Sequence, residues 1–253
     1  MLLDVIVRAI NSCQLAPLSS RRNCVLTDHR LPKRQCIRHG TALALFAYRE
    51  GTMYDARMHG EYVEPKTPDR RLTYEDFLNF PDDDGLRHEI IDGKHYVTPS
   101  PNTRHQVLVG RLHLEIGLYL RQHTSVGQIF LSPFDVVFTN FDIVEPDLLF
   151  VAADQADILT EQNAQGAPAL VIEILSRGTR KKDEQIKRRL FERAAVREYW
   201  IVDPERDQVS LFARQEDGSF PRIAMLSRDN SDVLTTRLMP GLSIQLIELF
   251  ARP

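Results

Sequence analysis

Cysteine is scarce in this chain. There are three, Cys13, Cys24 and Cys36, all before residue 53. Their spacing matches no zinc pattern, and the part expected to fold has no thiol for a disulfide or a thiolate site. Long apolar runs are also missing. The longest are strand-sized, so no membrane-spanning helix is expected, and a cytoplasmic location fits best. No glycine-rich phosphate loop or dinucleotide fingerprint occurs. Ser176 has no His or Asp constellation of nucleophile-elbow character around it, which argues against a serine hydrolase. Excess positive charge is confined to the start. Residues 1–52 hold 8 Lys+Arg against 3 Asp+Glu, leaving 24 against 32 for residues 53–253. An acidic folded part argues against a broad basic surface for non-specific nucleic-acid binding, though not against a local groove or a metal-dependent site.

What is present reads as a globular protein: 43% hydrophobic and 26% charged over 253 residues. Residues 1–65 form an extension without sustained periodicity. It is either an Arg-containing presequence or, as the favoured expectation, an over-extended gene start with initiation at Met53 or Met58. Poor order is expected over residues 1–60. Residues 66–253 are expected to form one domain.

Thr73 with Asp76 makes an N-terminal capping box for a short helix ending before Pro81. His88–Ile91 and Lys94–Val97 flank Asp92-Gly93, a strong two-residue hairpin signal. Thr103 is the expected cap of the next helix, with Gln106 completing the box. Leu108, Leu112, Ile116 and Tyr119 carry that helix to about His123. Gln128–Phe138 reads as a strand bent at Pro133. Strands follow at Pro146–Val151 and Ala169–Ser176, a helix over Thr179–Ala194, and strands at Tyr199–Val202 and Gln208–Arg214. This order predicts an α/β domain, a mixed sheet flanked by helices.

Two acids stand out because they lie inside apolar strands: Asp147 in Val144–Val151 and Glu173 in Ala169–Leu175. A carboxylate there is costly unless a cation or hydrogen bonds stabilise it. If the two strands pair in register, both acids point to one side. A divalent cation between them would relieve their repulsion, and hard oxygen donors without Cys or paired His suit magnesium or manganese. The alternative is that each acid ends a strand in solvent or pairs with arginine. Lys187 borders the apolar helical stripe and must reach an anion or snorkel outward. Asp183, four residues earlier, offers an ordinary surface pair. Lys181 and Lys182 read as solvated; Arg188 and Arg189 are either solvated or a small phosphate-facing patch. Glu89 is expected to pair across its hairpin with Lys94 or His95, and His105 to be structural rather than catalytic.

Pro146-Asp147 followed by Glu173-Ile174-Leu175 resembles the PD-(D/E)XK signature of restriction-endonuclease-like nucleases. Residues from about 72 to 250 resemble, more narrowly, the Uma-two family of endonucleases. The stretches that carry this likeness are His88–Gly93, Ser100-Pro101 through His105-Gln106, Val144–Leu148, Val171–Ser176, Asp183 with Lys187, and Glu198–Pro204. The resemblance implies a restriction-endonuclease-like core. It also implies a magnesium- or manganese-dependent endonuclease hydrolysing DNA phosphodiester bonds. Asp147 and Glu173 would be metal ligands, Glu89 an additional acid, and Lys187 the catalytic lysine. In the superfamily the lysine stands two residues after the acid, where this chain has Leu175; the family places it on the following helix. A nuclease-like module that binds nucleic acid or a protein without catalysis is the competing expectation. DNA recognition would come from this domain or from a homodimer.

Overall fold

A computed structural model describes residues 70–253, apart from 82, 83, 177 and 253, and the backbone of four short strands nearer the start. The chain divides into two compact units, Met1–Met58 and His59–Pro253. In the first, strand β1 (Ile37–His39) pairs with β2 (Ala42–Ala44), and β3 (Phe46–Arg49) with β4 (Thr52–Asp55). The expectations for a presequence, an over-extended start and poor order otherwise fall outside the described residues.

The second unit opens with helix α1 (Tyr74–Phe77), closed by the Thr73–Asp76 capping box. The hairpin of β5 (Leu86–Ile91) and β6 (Lys94–Pro99) follows. Its turn residues Asp92 and Gly93 take φ of 54° and 72°, the paired left-handed geometry that a two-residue turn with matching strand twist needs. A Cβ on Gly93 would lie 2.6 Å from the Arg71 Cβ. Gly93→Ala is therefore expected to cost roughly 1–3 kcal/mol, read as a lowered urea midpoint with an unchanged slope.

Helix α2 (Thr103–Gln122) is capped by Asn102, not by Thr103. The Asn102 side chain accepts the His105 backbone N–H at 2.9 Å, so Thr103 lies inside the helix and Gln106 completes no box. The expected strand over Gln128–Phe138 is in fact two. β7 (Gly127–Leu131) and β8 (Val136–Thr139) are separated at Ser132-Pro133 and enter different sheets. Proline lacks the N–H needed to continue a ladder. β9 (Asp142–Val144), β10 (Leu148–Ala152), a 3₁₀ turn at Ala153–Ile158, β11 (Ala164–Gln165) and β12 (Leu170–Ile174) follow. A π-helical turn, Lys182–Lys187, runs directly into helix α3 (Arg188–Arg193). Strands β13 (Glu198–Asp203), β14 (Gln208–Ala213), β15 (Arg222–Ser227), β16 (Val233–Leu234) and β17 (Ile244–Gln245) lead to α4 (Leu246–Leu249).

The expected mixed sheet is two sheets. One has the order β15-β14-β13-β12-β10-β7, with β12 and β13 parallel and the other neighbours antiparallel; the second has the order β11-β8-β9-β5-β6. The six-stranded sheet is covered on both faces. Leu148, Phe150, Leu170, Ile172 and Ile174 pack with Leu108, Leu112 and Ile116 of α2. The alternate residues Leu149, Val151, Val171 and Leu175 pack with Leu190 and Phe191 of α3 and with Ile91 and Tyr96 of the second sheet. Burial on both faces explains why these strands are continuous apolar runs. Each fully buried Leu or Ile contributes about 1.5–3 kcal/mol. No helix among the described residues is long and apolar enough to cross a membrane.

Candidate active site

Strand alternation decides where the two central acids point. On β12, Glu173 lies on the same face as Val171 and Leu175, toward the second sheet and α3. β10 and β12 pair antiparallel, with Leu148 opposite Ile172 and Leu149 opposite Val171. One further step in that register sets Asp147 opposite Glu173. The Ile174 N–H donates to the Asp147 Oδ2 at 2.8 Å. The structure thus brings Asp147 and Glu173 together, and both are buried.

Asp147 is clamped by three donors. Arg87 Nη1 reaches its Oδ1 at 2.9 Å; His105 Nε2 and the Ile174 N–H share its Oδ2. His105 stands in the first turn of α2 because Asn102 caps that turn. Its Nδ1 is buried without a hydrogen-bond partner, which fits the tautomer with the proton on Nε2. Burial pushes the Asp147 carboxyl up, but His105, Arg87 and the Ile174 N–H outweigh it and hold it below the usual carboxylate range.

Glu89 comes from β5 of the second sheet and is fully buried. Tyr96, not Lys94 or His95, lies opposite it in the hairpin. Its partners come from elsewhere. Oε1 is ion-paired with Lys187 Nζ at 2.6 Å and accepts from the Glu145 N–H at 3.1 Å; Oε2 accepts from Lys182 Nζ at 2.7 Å. Burial raises the Glu89 pKa, yet Lys182, Lys187 and Arg87 bring it down to about 2. Lys182 also donates to Thr98 Oγ1 at 2.7 Å. It is 3% exposed, so its reading as a solvated lysine is wrong. Arg188 lies beside Glu192 on the flank of α3, and Arg189 is exposed.

Lys187 lies between two acids, at 2.6 Å from both Glu89 Oε1 and Glu173 Oε1. Asp183 is not its surface partner: it is 2% exposed, and its Oδ1 is 3.9 Å from Lys187 Nζ. That separation is too long for a hydrogen bond, and Asp183 Oδ1 is a buried oxygen with no hydrogen-bond partner. Burial lowers the Lys187 pKa, but Glu173, Glu89 and Asp183 more than reverse this, so the ammonium stays charged across the neutral range. Glu173 goes the other way. Burial, then Asp183, Asp147 and Glu89, push it well above the usual range despite Lys187; burial likewise raises Asp183.

The imbalance is electrostatic. Glu89, Asp147, Glu173 and Asp183 are buried carboxylates, and the partly buried Glu145 is paired with Arg87 at 3.1 Å. Arg87, Lys182 and Lys187 are the cations facing them. The excess of carboxyl groups over cations, the raised Glu173 and the Asp183 oxygen without a hydrogen bond suit a hard cation, which would favour the ionised forms. Among the described residues, however, no three His, Cys, Asp or Glu side chains stand ready-placed around one point as a metal cage. Ammonium and guanidinium groups occupy the oxygens instead. The donor chemistry fits a divalent ion, and some of the present ion pairs would have to open to admit one.

Sequence reasoning overlooked Arg87, read Lys182 as solvated and set His105 aside. Arg87 had a signal: it lies two residues before Glu89 and so on the same face of β5. Lys182 had none, because its inward orientation depends on the π turn.

Two mixed sheets with helices packed on them, and with carboxylates and a lysine meeting at the centre, define a restriction-endonuclease-like core. The chain belongs to the Uma2 family, described as "putative restriction endonuclease", whose family model matches residues 74–246. Among solved structures, one described as a "putative nuclease" from Anabaena variabilis is similar over 71% of this chain and 97% of that chain. Its TM-score is 0.59 at 17% sequence identity. No curated protein matches the chain.

Proposed function

We propose that this protein is a divalent-metal-dependent nuclease that hydrolyses DNA phosphodiester bonds. The observation that supports this reading best is the meeting of Asp147, Glu173, Glu89 and Lys187 in one buried cluster with more carboxylates than cations. Asp147 and Glu173 would hold magnesium or manganese. When bound, such an ion supplies Lewis-acid stabilisation of a phosphoryl oxygen and eases deprotonation of the attacking water.

The chain's own residues do the rest. Arg87, His105 and the Ile174 N–H fix the Asp147 carboxylate in its ionised form, so little reorganisation is needed there. Lys187 remains protonated, so it cannot serve as a general base. It acts as a cation, orienting the attacking water or neutralising charge that develops on the phosphoryl oxygens. Water forms a new P–O bond in line with the ester oxygen that leaves, which takes up a proton.

The competing reading is a nuclease-like module that binds without catalysis. It is supported by the occupied carboxylate oxygens: each of Glu89 and Asp147 is satisfied by the protein itself. Purified protein is expected to nick or linearise supercoiled plasmid with Mg²⁺ or Mn²⁺, and to stop when EDTA is added. DNA retained by the protein with no cleavage in either ion would establish the non-catalytic reading instead.

A further inference from the structure

Two lysines of one turn reach the same carboxylate. Lys182 holds Glu89 Oε2 and Lys187 holds Glu89 Oε1. They are five residues apart, which on an α-helix would set them about 140° apart around the axis. The π turn over Lys182–Lys187, with its i→i+5 spacing, brings both to one side.

The two lysines are held differently. Lys187 is shared by Glu89 and Glu173. Lys182 has one carboxylate partner and one hydroxyl, Thr98 Oγ1. It also begins the π turn, beside exposed Lys181. Its four-carbon stem is long and flexible, so the ammonium can move without the backbone moving with it. A divalent cation that enters this cluster repels both ammonium groups, and the one with fewer anionic partners is the easier to release.

We propose that Lys182 is a displaceable counter-ion: it occupies Oε2 of Glu89 and yields to a divalent cation by moving out to solvent. This inference rests on the divalent-metal reading above. It makes Lys182 a positioning residue for Glu89 and a determinant of metal affinity.

The test uses the full chain and Mn²⁺ alone. Wild-type protein is acylated with an amine-reactive reagent, with and without saturating Mn²⁺, and each lysine is quantified by mass spectrometry. Labelling of Lys182 is expected to rise several-fold with Mn²⁺, while Lys181 is labelled equally in both and Lys187 stays protected. Calorimetric titration is expected to show roughly tenfold tighter Mn²⁺ binding for Lys182→Met, from loss of one nearby positive charge, and no change for Lys181→Met. Labelling of the wild-type chain decides the matter if Lys182→Met does not fold. Mn²⁺ binding with Lys182 still protected would overturn the inference and leave the metal reading standing. No Mn²⁺ binding by wild type or by Lys182→Met would overturn both.

Discussion

Glu173→Gln is expected to lower divalent-dependent cleavage of supercoiled plasmid by roughly 10²–10³-fold, the usual scale for removing one electrostatic contributor to a reacting centre, while the protein stays folded. Glutamine keeps the shape of the side chain and its hydrogen-bonding reach but removes the charge that would hold a metal ion. Stability should not fall with activity, and the sign of the pKa shift says why. Glu173 sits well above its ordinary value, principally through burial, so its ionised form is disfavoured in the folded state. A raised acid contributes stability at low pH that is lost as pH rises through its folded pKa. At neutral pH a neutral amide therefore costs little, and Tm should be unchanged or higher. Loss of cleavage and of Mn²⁺ binding at an equal or higher Tm separates a metal ligand from a structural acid. Cleavage at the wild-type rate would remove Glu173 from the mechanism.

Lys187→Met should have the largest effect on stability. The substitution removes the ammonium shared by Glu89 and Glu173 and leaves both acids buried beside Asp183. Breaking a buried pair by removing one partner costs about 3–5 kcal/mol, because the remaining charge is uncompensated. Trp200 is the single tryptophan and is fully buried, so urea unfolding can be followed by its fluorescence. Adding Glu173→Gln to Lys187→Met should recover little of the loss, since without the lysine Glu173 is held protonated still more strongly and Glu89 carries the stranded charge. Acid sensitivity should shift as well. Glu89, held at about 2 against its ordinary 4.5, contributes stability that is present above pH 4.5 and lost as pH falls toward 2. With one of its two lysines gone, its folded pKa rises toward 4.5 and that acid-linked loss shrinks. A midpoint equal to that of wild type would show that Lys187 carries no such role.

The parts that were legible in the sequence are those governed by local rules or by burial on both faces. Asp92-Gly93 permits the left-handed turn that sets the β5–β6 register. The side chains of Thr73 and Asp76 each accept the other's backbone N–H whatever lies around them. Leu108, Leu112, Ile116 and Tyr119 repeat at helical spacing because one face of α2 covers the sheet. The strands around Asp147 and Glu173 are apolar because they are sandwiched, and this is why the two acids drew notice. Where local rules compete, the outcome was less legible. Asn102 and Thr103 are both good caps, and Asn102 took the position.

The sequence by itself singled out Asp147 and Glu173 as buried acids, since a carboxylate in a doubly covered apolar run has nowhere to point but inward or across to its neighbour; the burial of Asp183 and the partners of Glu89 it did not reveal. Only the tertiary structure decided their counter-ions. Arg87 reaches Asp147 from the other sheet, His105 from a helix whose first turn Asn102 positions, and Lys182 from a π turn that α-helical spacing does not anticipate. Those partners lie 60, 42 and 93 residues away from the acids they bind. No local periodicity encodes such a separation; it is set by which faces of the sheets and helices close against one another.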